Sequence, residues 1–133
     1  MGTFYTDCVI ANVANRSKSA PLAKLLVDTG SEFTWVPTDV LNALNIRREK
    51  KDVALLMANG RQITRNIGFA VVHVGDDFTV DEVVFAEPGD QLLLGARTLE
   101  GLNLTVDPRG KRLIAAGPAP AAAPPRVRRT RKK

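Results

Sequence analysis

The sequence predicts an all-β domain carrying one or two short helices, and three observations lead there. β-forming runs recur along the first 116 residues, each closed by a cluster of Gly, Pro, Asn, Asp or Ser. Asn59-Gly60 stands between two such runs, a strong hairpin signal because both residues tolerate positive φ. The 133 residues are 44% hydrophobic and 25% charged but only 5% aromatic, a composition that suits one domain around a modest aliphatic core.

Phe4 to Val13 reads as a strand, and the polar segment Asn15-Arg16-Ser17-Lys18-Ser19 before Pro21 as a loop. Leu22 to Val27 is an apolar run that stops at Asp28-Thr29-Gly30-Ser31, so a buried strand delivers a polar loop. Phe33, Trp35 and Val36 follow, and Pro37-Thr38 opens a short helix from Asp39 to Leu44, with Val40, Leu41 and Leu44 on one face and Asn45 ending it. A charged link, Arg47 to Asp52, leads into Val53 to Met57, the turn Ala58-Asn59-Gly60-Arg61 and a long strand from Gln62 to Val74. That is an exposed hairpin with its tip near Asn59-Gly60. After Gly75-Asp76-Asp77, Phe78 to Phe85 is a further strand, and Glu87-Pro88-Gly89-Asp90 turns the chain again. Leu92-Leu93-Leu94-Gly95 is a short, wholly apolar strand and Ala96 to Glu100 a short helix. Leu102 to Val106, the turn Asp107-Pro108-Arg109-Gly110 and Lys111 to Ile114 form a closing hairpin.

The domain is expected to span residues 1–116. Residues 117–133 change to Pro and Ala and then to six cations, Arg126, Arg128, Arg129, Arg131, Lys132 and Lys133, with little to bury. This is a Pro/Ala-rich basic tail expected to be disordered. It also accounts for the net charge of +5, because residues 1–116 carry 13 basic and 14 acidic groups; charge alone therefore defines no nucleic-acid-binding face on the domain. One cysteine, Cys8, excludes an intrachain disulfide framework and any cysteine-based metal cluster. No apolar run approaches the roughly 18 residues of a membrane span, and no signal peptide is visible, so a reducing, cytoplasmic location is the expectation.

Asp28-Thr29-Gly30 alone is a weak signal, since such a tripeptide also fits an ordinary turn. Its context is more specific. Leu26-Val27 precedes it, Ser31 follows, and about 65 residues later comes Leu93-Leu94-Gly95, followed by a helix. This arrangement resembles the retropepsin-like aspartic proteases (clan AA): two apolar residues, Asp-Thr-Gly-Ser, and a distal apolar-apolar-Gly strand. Leu94 to Leu102 with Val106-Asp107-Pro108 is similar to the bacterial and archaeal single-domain branch. The resemblance covers residues 4–114 and implies an acid-protease half-barrel with one Asp-Thr-Gly motif per chain.

Peptide hydrolysis without a metal or a covalent nucleophile needs one group to deprotonate water and another to protonate the carbonyl. Two carboxyls sharing a proton supply both, because like charges about 3 Å apart cannot both ionise. The chain supplies a single such motif, so the resemblance implies a homodimer in which Asp28 meets its counterpart on a two-fold axis, with no cofactor and no metal site. The same resemblance implies that Asp28 is catalytic, that Gly30 presents an N–H to its carboxylate, that Thr29 hydrogen-bonds across the dimer, and that Ser31 donates to the outer carboxylate oxygen. The Val53-to-Val74 hairpin resembles the family's flap, which implies that it folds over an extended peptide substrate with Met57, Ala58, Asn59 and Gly60 at its tip. It lacks the several glycines of the viral flaps and any Tyr or Trp.

Other residues have less chemical readings. His73, the only histidine, reads as a half-buried strand residue rather than part of a Ser31–His73–Asp triad. Cys8 reads as a small core residue, Trp35 as packing with a cleft position as the alternative, and Asp76-Asp77 with Asp81 and Glu82 as a solvated turn rather than a calcium loop. The tail reads either as a solubilising end or as a weak, salt-sensitive tether for an anionic partner. No membrane partner is expected. The rival to a protease is a non-catalytic dimer that grips an extended peptide in the same cleft.

Overall fold

The computed structural model describes residues 4–118 and 121. The basic tail expected from residue 117 thus lies, apart from residues 117, 118 and 121, outside the described residues. Among the described residues, nine strands and two short helices follow one another as β1 (Tyr5–Ala11), β2 (Ser19–Val27), β3 (Thr34–Pro37), α1 (Thr38–Ala43), β4 (Lys50–Leu56), β5 (Gln62–Val74), β6 (Asp77–Ala86), β7 (Leu93–Leu94), α2 (Ala96–Leu102), β8 (Leu104–Asp107) and β9 (Arg112–Ala115). Seven strands form one sheet in the order β1-β2-β7-β3-β6-β5-β4, and β1 also pairs with β5. That second pairing closes six strands into a barrel from which β4 projects as the outer half of the β4–β5 hairpin; β8 and β9 form a separate hairpin. This is the all-β half-barrel that the sequence predicts.

The strands lie close to their expected places, and the differences have local causes. β2 starts at Ser19 rather than Leu22 and contains Pro21, opposite Val9 of β1. Proline is tolerated there because the other side of β2 pairs with β7 only at Leu26 and Val27, which leaves an open edge at Pro21. α2 runs to Leu102, past the expected Glu100, since Leu99 and Leu102 lie one turn apart and both bury against the core. Asn103, in the left-handed conformation, then stops it. At the end of α1, Asn45 (φ 58°) donates to Asn42 and Ile46 to the Leu41 carbonyl, a Schellman closure that returns Ile46 to the core.

Two apolar clusters fill the molecule. The larger, inside the barrel, contains Ile10, Leu25, Val36, Leu41, Val72, Val83, Phe85, Leu94 and Leu99. The smaller is built on Trp35, Ile67, Val84, Ala86 and Leu93, with Leu26, Phe33, Val53, Leu55, Met57, Ile63 and Leu92 only partly buried around it. Val53, Leu55, Met57 and Ile63 come from one face of the β4–β5 hairpin, so the hairpin leans on the strands that flank the Asp28 loop.

Candidate active site

The Asp28 loop is held by the two strands on either side of it and by one inserted between them. β7 pairs in parallel with the end of β2, Leu26 opposite Leu93 and Val27 opposite Leu94, while its other edge meets β3 at Trp35. The Asp28 N–H continues this ladder by donating to the Leu94 carbonyl at 3.0 Å. The chain then turns sharply: Ser31 N–H donates to the Asp28 carbonyl at 3.2 Å, and Gly30 N–H to Asp28 Oδ1 at 2.9 Å. The carboxylate is therefore oriented by its own loop, half-buried, with Thr29 and Gly30 exposed beside it.

α2 locks the far side of the loop. Its first N–H groups find no partner within the helix, and here Ala96 donates to the Ser31 carbonyl at 2.7 Å and Arg97 to the Glu32 carbonyl at 3.1 Å. Gly95, just before the helix, lies so close to the loop that an added Cβ would stand 2.3 Å from the Phe33 carbonyl oxygen. The structure thus brings Asp28, Thr29, Gly30 and Ser31 together with Leu93, Leu94 and Gly95. The Ser31 hydroxyl differs from expectation within one chain. It donates to the Phe33 carbonyl at 3.1 Å, an acceptor that the tight loop leaves within reach, rather than to Asp28.

A buried polar chain beneath the loop is not evident from the sequence. Gly95 N–H donates to Thr34 Oγ1 at 3.0 Å, Thr34 and Thr98 hydroxyls meet at 2.6 Å, and Thr98 Oγ1 donates to Asp81 Oδ2 at 3.0 Å. The carboxylate can only accept, which fixes the direction: Thr98 gives its proton to Asp81, and Thr34 gives its proton to Thr98 and accepts from Gly95. Both threonines are fully buried. Only the placement of threonine within apolar β3 and α2 hinted at this chain, and a sequence does not distinguish a buried hydroxyl from an exposed one. Thr98→Val should lower stability by about 2 kcal/mol by leaving the Thr34 hydroxyl and one side of Asp81 unpaired, whereas Thr98→Ser should retain most of it; thermal unfolding distinguishes the two.

Met57, Ala58, Asn59 and Gly60 form the hairpin tip. Met57 N–H donates to Arg61 O, Gly60 N–H to Met57 O, and Arg61 N–H to Asn59 Oδ1, with Gly60 at φ 85°. Met57 turns inward to the smaller apolar cluster, while Ala58, Asn59 and Gly60 are exposed. Farther along β5, Arg65 clamps Asp90 through two bonds of 2.7 Å and ties the hairpin to the loop that feeds β7. Asp90 also accepts from Glu87 N–H at 2.8 Å. The hydrogen bonds from Arg65 hold the Asp90 carboxyl below its ordinary range, and Lys50, followed by Arg97, does the same for Glu82.

Groups depressed in this way stabilise the fold above the unfolded carboxylate range of about 4, and that contribution is lost as pH falls through the lower folded values. Arg65→Ala is expected to lower the unfolding temperature by about 5–10 °C near neutrality, with the deficit shrinking as pH falls below the unfolded carboxylate range of about 4 and through the lowered value of Asp90. Thermal melts across pH measure it.

Of the residues with less chemical readings, Cys8, Trp35 and His73 are packed and Asp76 and Asp77 lie at the β5–β6 turn, whereas Asp81 and Glu82 stand within β6, half-buried, and not in a solvated turn. Burial pushes the Cys8 thiol up to about 12, with Asp7 adding to the effect, so it is a core group without thiolate character. Trp35 is buried in the smaller cluster. His73 packs on Phe78 and its Nε2 lies 3.4 Å from Arg16, while the Ser31 hydroxyl is engaged with Phe33. Asp76 and Asp77 are exposed, Asp81 and Glu82 are engaged as above, and among the described residues no three metal-ligating side chains converge. Among the described residues no helix is long and apolar enough to cross a membrane.

A closed half-barrel with an aspartate on a strand-end loop, buttressed by a distal Leu-Leu-Gly, defines an aspartic-protease fold. The family described as gag-polyprotein putative aspartyl protease matches residues 18–101, well over half of the chain, and the chain belongs to that family. No curated protein matched it.

Proposed function

We propose that the protein is a homodimeric aspartic endopeptidase of the retropepsin-like type, with Asp28 from two copies meeting on a two-fold axis. The observation that carries this reading is the Asp28 loop itself: one carboxyl per chain, fixed by Gly30 N–H and by the bond from Asp28 N–H to Leu94, with exposed Thr29 beside it to meet a second copy. In the dimer one carboxylate takes a proton from water as the water oxygen attacks the peptide carbonyl carbon, and the other, protonated, carboxyl protonates the carbonyl oxygen. Collapse of the tetrahedral species breaks the C–N bond, with a proton passing to the leaving amine. The smaller, partly buried apolar cluster and Leu56, 78% exposed at the hairpin, supply surface that an extended peptide and the second copy would cover. The segment from Leu94 to Pro108 supports the bacterial and archaeal branch, the single buried Cys8 supports a reducing, cytoplasmic setting, and the tail is read as a solubilising end.

Sedimentation together with digestion of a mixed peptide library from acidic to neutral pH, with new termini read by mass spectrometry, tests the reading. A dimer that cuts is the expected result. A monomer at high concentration contradicts the two-chain site, and a dimer that binds peptides without cutting them replaces the enzyme with the binding module.

A further inference from the structure

Between the β4–β5 hairpin and the loop that enters β7 lies an open recess of about 210 Å³, lined by Met57, Asn59, Arg61, Ile63, Arg65 and Asp90. Met57, Arg61, Ile63 and Arg65 all stand on the hairpin face that leans on the smaller apolar cluster, the face turned toward the strands that carry the Asp28 loop. We propose that this recess is a side-chain pocket for aspartate or glutamate in an extended peptide, with Arg61 as the residue that sets the preference. The inference rests on the reading that a peptide substrate lies beneath this hairpin.

The two guanidinium groups of the recess are in different states. Arg65 is committed: Nε and Nη2 hold both oxygens of Asp90, Nη1 donates to the Thr64 carbonyl at 2.8 Å and lies 3.8 Å from Glu87. Asp90 is correspondingly paired, accepting from Arg65 at both oxygens and from Glu87 N–H. Arg61 has no carboxylate and no side-chain hydrogen-bond partner among the described residues, although it lines the same recess. Its planar fork suits bidentate recognition of a carboxylate.

Asn59 adds a second donor. Its Oδ1 is occupied by Arg61 N–H at 2.9 Å, and its amide NH₂ has no hydrogen-bond acceptor among the described residues. Met57 and Ile63 supply apolar wall for the methylenes of the incoming side chain. An acidic side chain therefore meets two free donors, whereas a lysine or arginine would meet an uncompensated Arg61 and an Asp90 already engaged.

The test uses the full-length Asp28→Asn protein at about pH 6, where a glutamate side chain is ionised. Fluorescent extended peptides carry a single glutamate moved through each position, each compared with its glutamine counterpart, and binding is read by anisotropy. At one position the glutamate peptide should bind about 5–20-fold tighter. Arg61→Glu should reverse the preference in favour of lysine at that position, and Arg61→Lys should restore part of it. A preference independent of glutamate position, or one that survives Arg61→Glu, belongs to the basic end of the chain and overturns the proposal, as does no preference at all. Cleavage by the wild-type protein is scored separately. Arg61-dependent selectivity without cleavage by wild type would retain the pocket and reject the protease, and cleavage without selectivity would do the reverse.

Discussion

Asp28→Asn is expected to abolish peptide cleavage, by at least about 10³-fold, while folding and sedimentation match those of wild type. The amide keeps the shape and can still accept from Gly30 N–H, the 2.9 Å bond that orients the side chain, and the backbone bond from Asp28 N–H to Leu94 is untouched. What disappears is chemistry: an amide neither takes a proton from water nor gives one to a carbonyl at these pH values. Because both carboxyls of the proposed site are Asp28, one substitution removes the base and the acid together. Circular dichroism and sedimentation against wild type verify that the loss is catalytic. Cleavage by the variant within tenfold of wild type would place the chemistry elsewhere.

Gly95→Ala is expected to be the most damaging small substitution in the domain, costing more than about 3 kcal/mol and activity with it. The new methyl would lie 2.3 Å from the Phe33 carbonyl oxygen, 2.6 Å from the Phe33 carbonyl carbon and 2.8 Å from the Glu32 carbonyl oxygen. All three are backbone atoms, so no rotamer change relieves the contact. Either α2 withdraws, breaking its bonds to the Ser31 and Glu32 carbonyls and the bond from Gly95 N–H to Thr34, or the Asp28 loop shifts. Gly60→Ala offers a contrasting control: its Cβ would meet nothing within 4 Å, and the strain comes only from φ 85° at an exposed turn, worth about 1 kcal/mol. Denaturant unfolding of both variants measures the contrast, and equal losses would refute this account of Gly95.

This contact also explains why Asp-Thr-Gly and Leu-Leu-Gly are informative together. The loop after β2 and the residue before α2 press backbone against backbone, so the distal glycine is a steric requirement of the aspartate loop. The Asn59-Gly60 turn, the stop at Asn45 and the runs that became β5 and β6 are legible in the sequence because their causes are local: positive φ, a hairpin turn and paired apolar alternation. The insertion of β7 between β2 and β3 is not, since two residues joining one strand in parallel and another antiparallel leave no periodicity to read. Nor is the Thr34–Thr98–Asp81 chain, whose members lie up to 64 residues apart and whose threonines match solvent-facing ones in every local property. Arg65 and Asp90 look like two ordinary surface charges until β5 and the loop before β7 are side by side. The expected bond from the Ser31 hydroxyl to Asp28 is the case where resemblance and the geometry of one chain part, because the rotatable hydroxyl donates to the Phe33 carbonyl instead.

Whether one active site takes an aspartate from each of two chains is decided by mixing. Wild-type and Asp28→Asn proteins are combined at a constant total concentration, allowed to exchange partners, and assayed on a peptide that wild type cleaves. A shared site predicts activity that follows the square of the wild-type fraction, roughly a quarter at equal amounts, because only wild-type pairs are competent. Activity that falls in direct proportion, to roughly half at equal amounts, would mean that each chain works alone and would contradict the shared dyad.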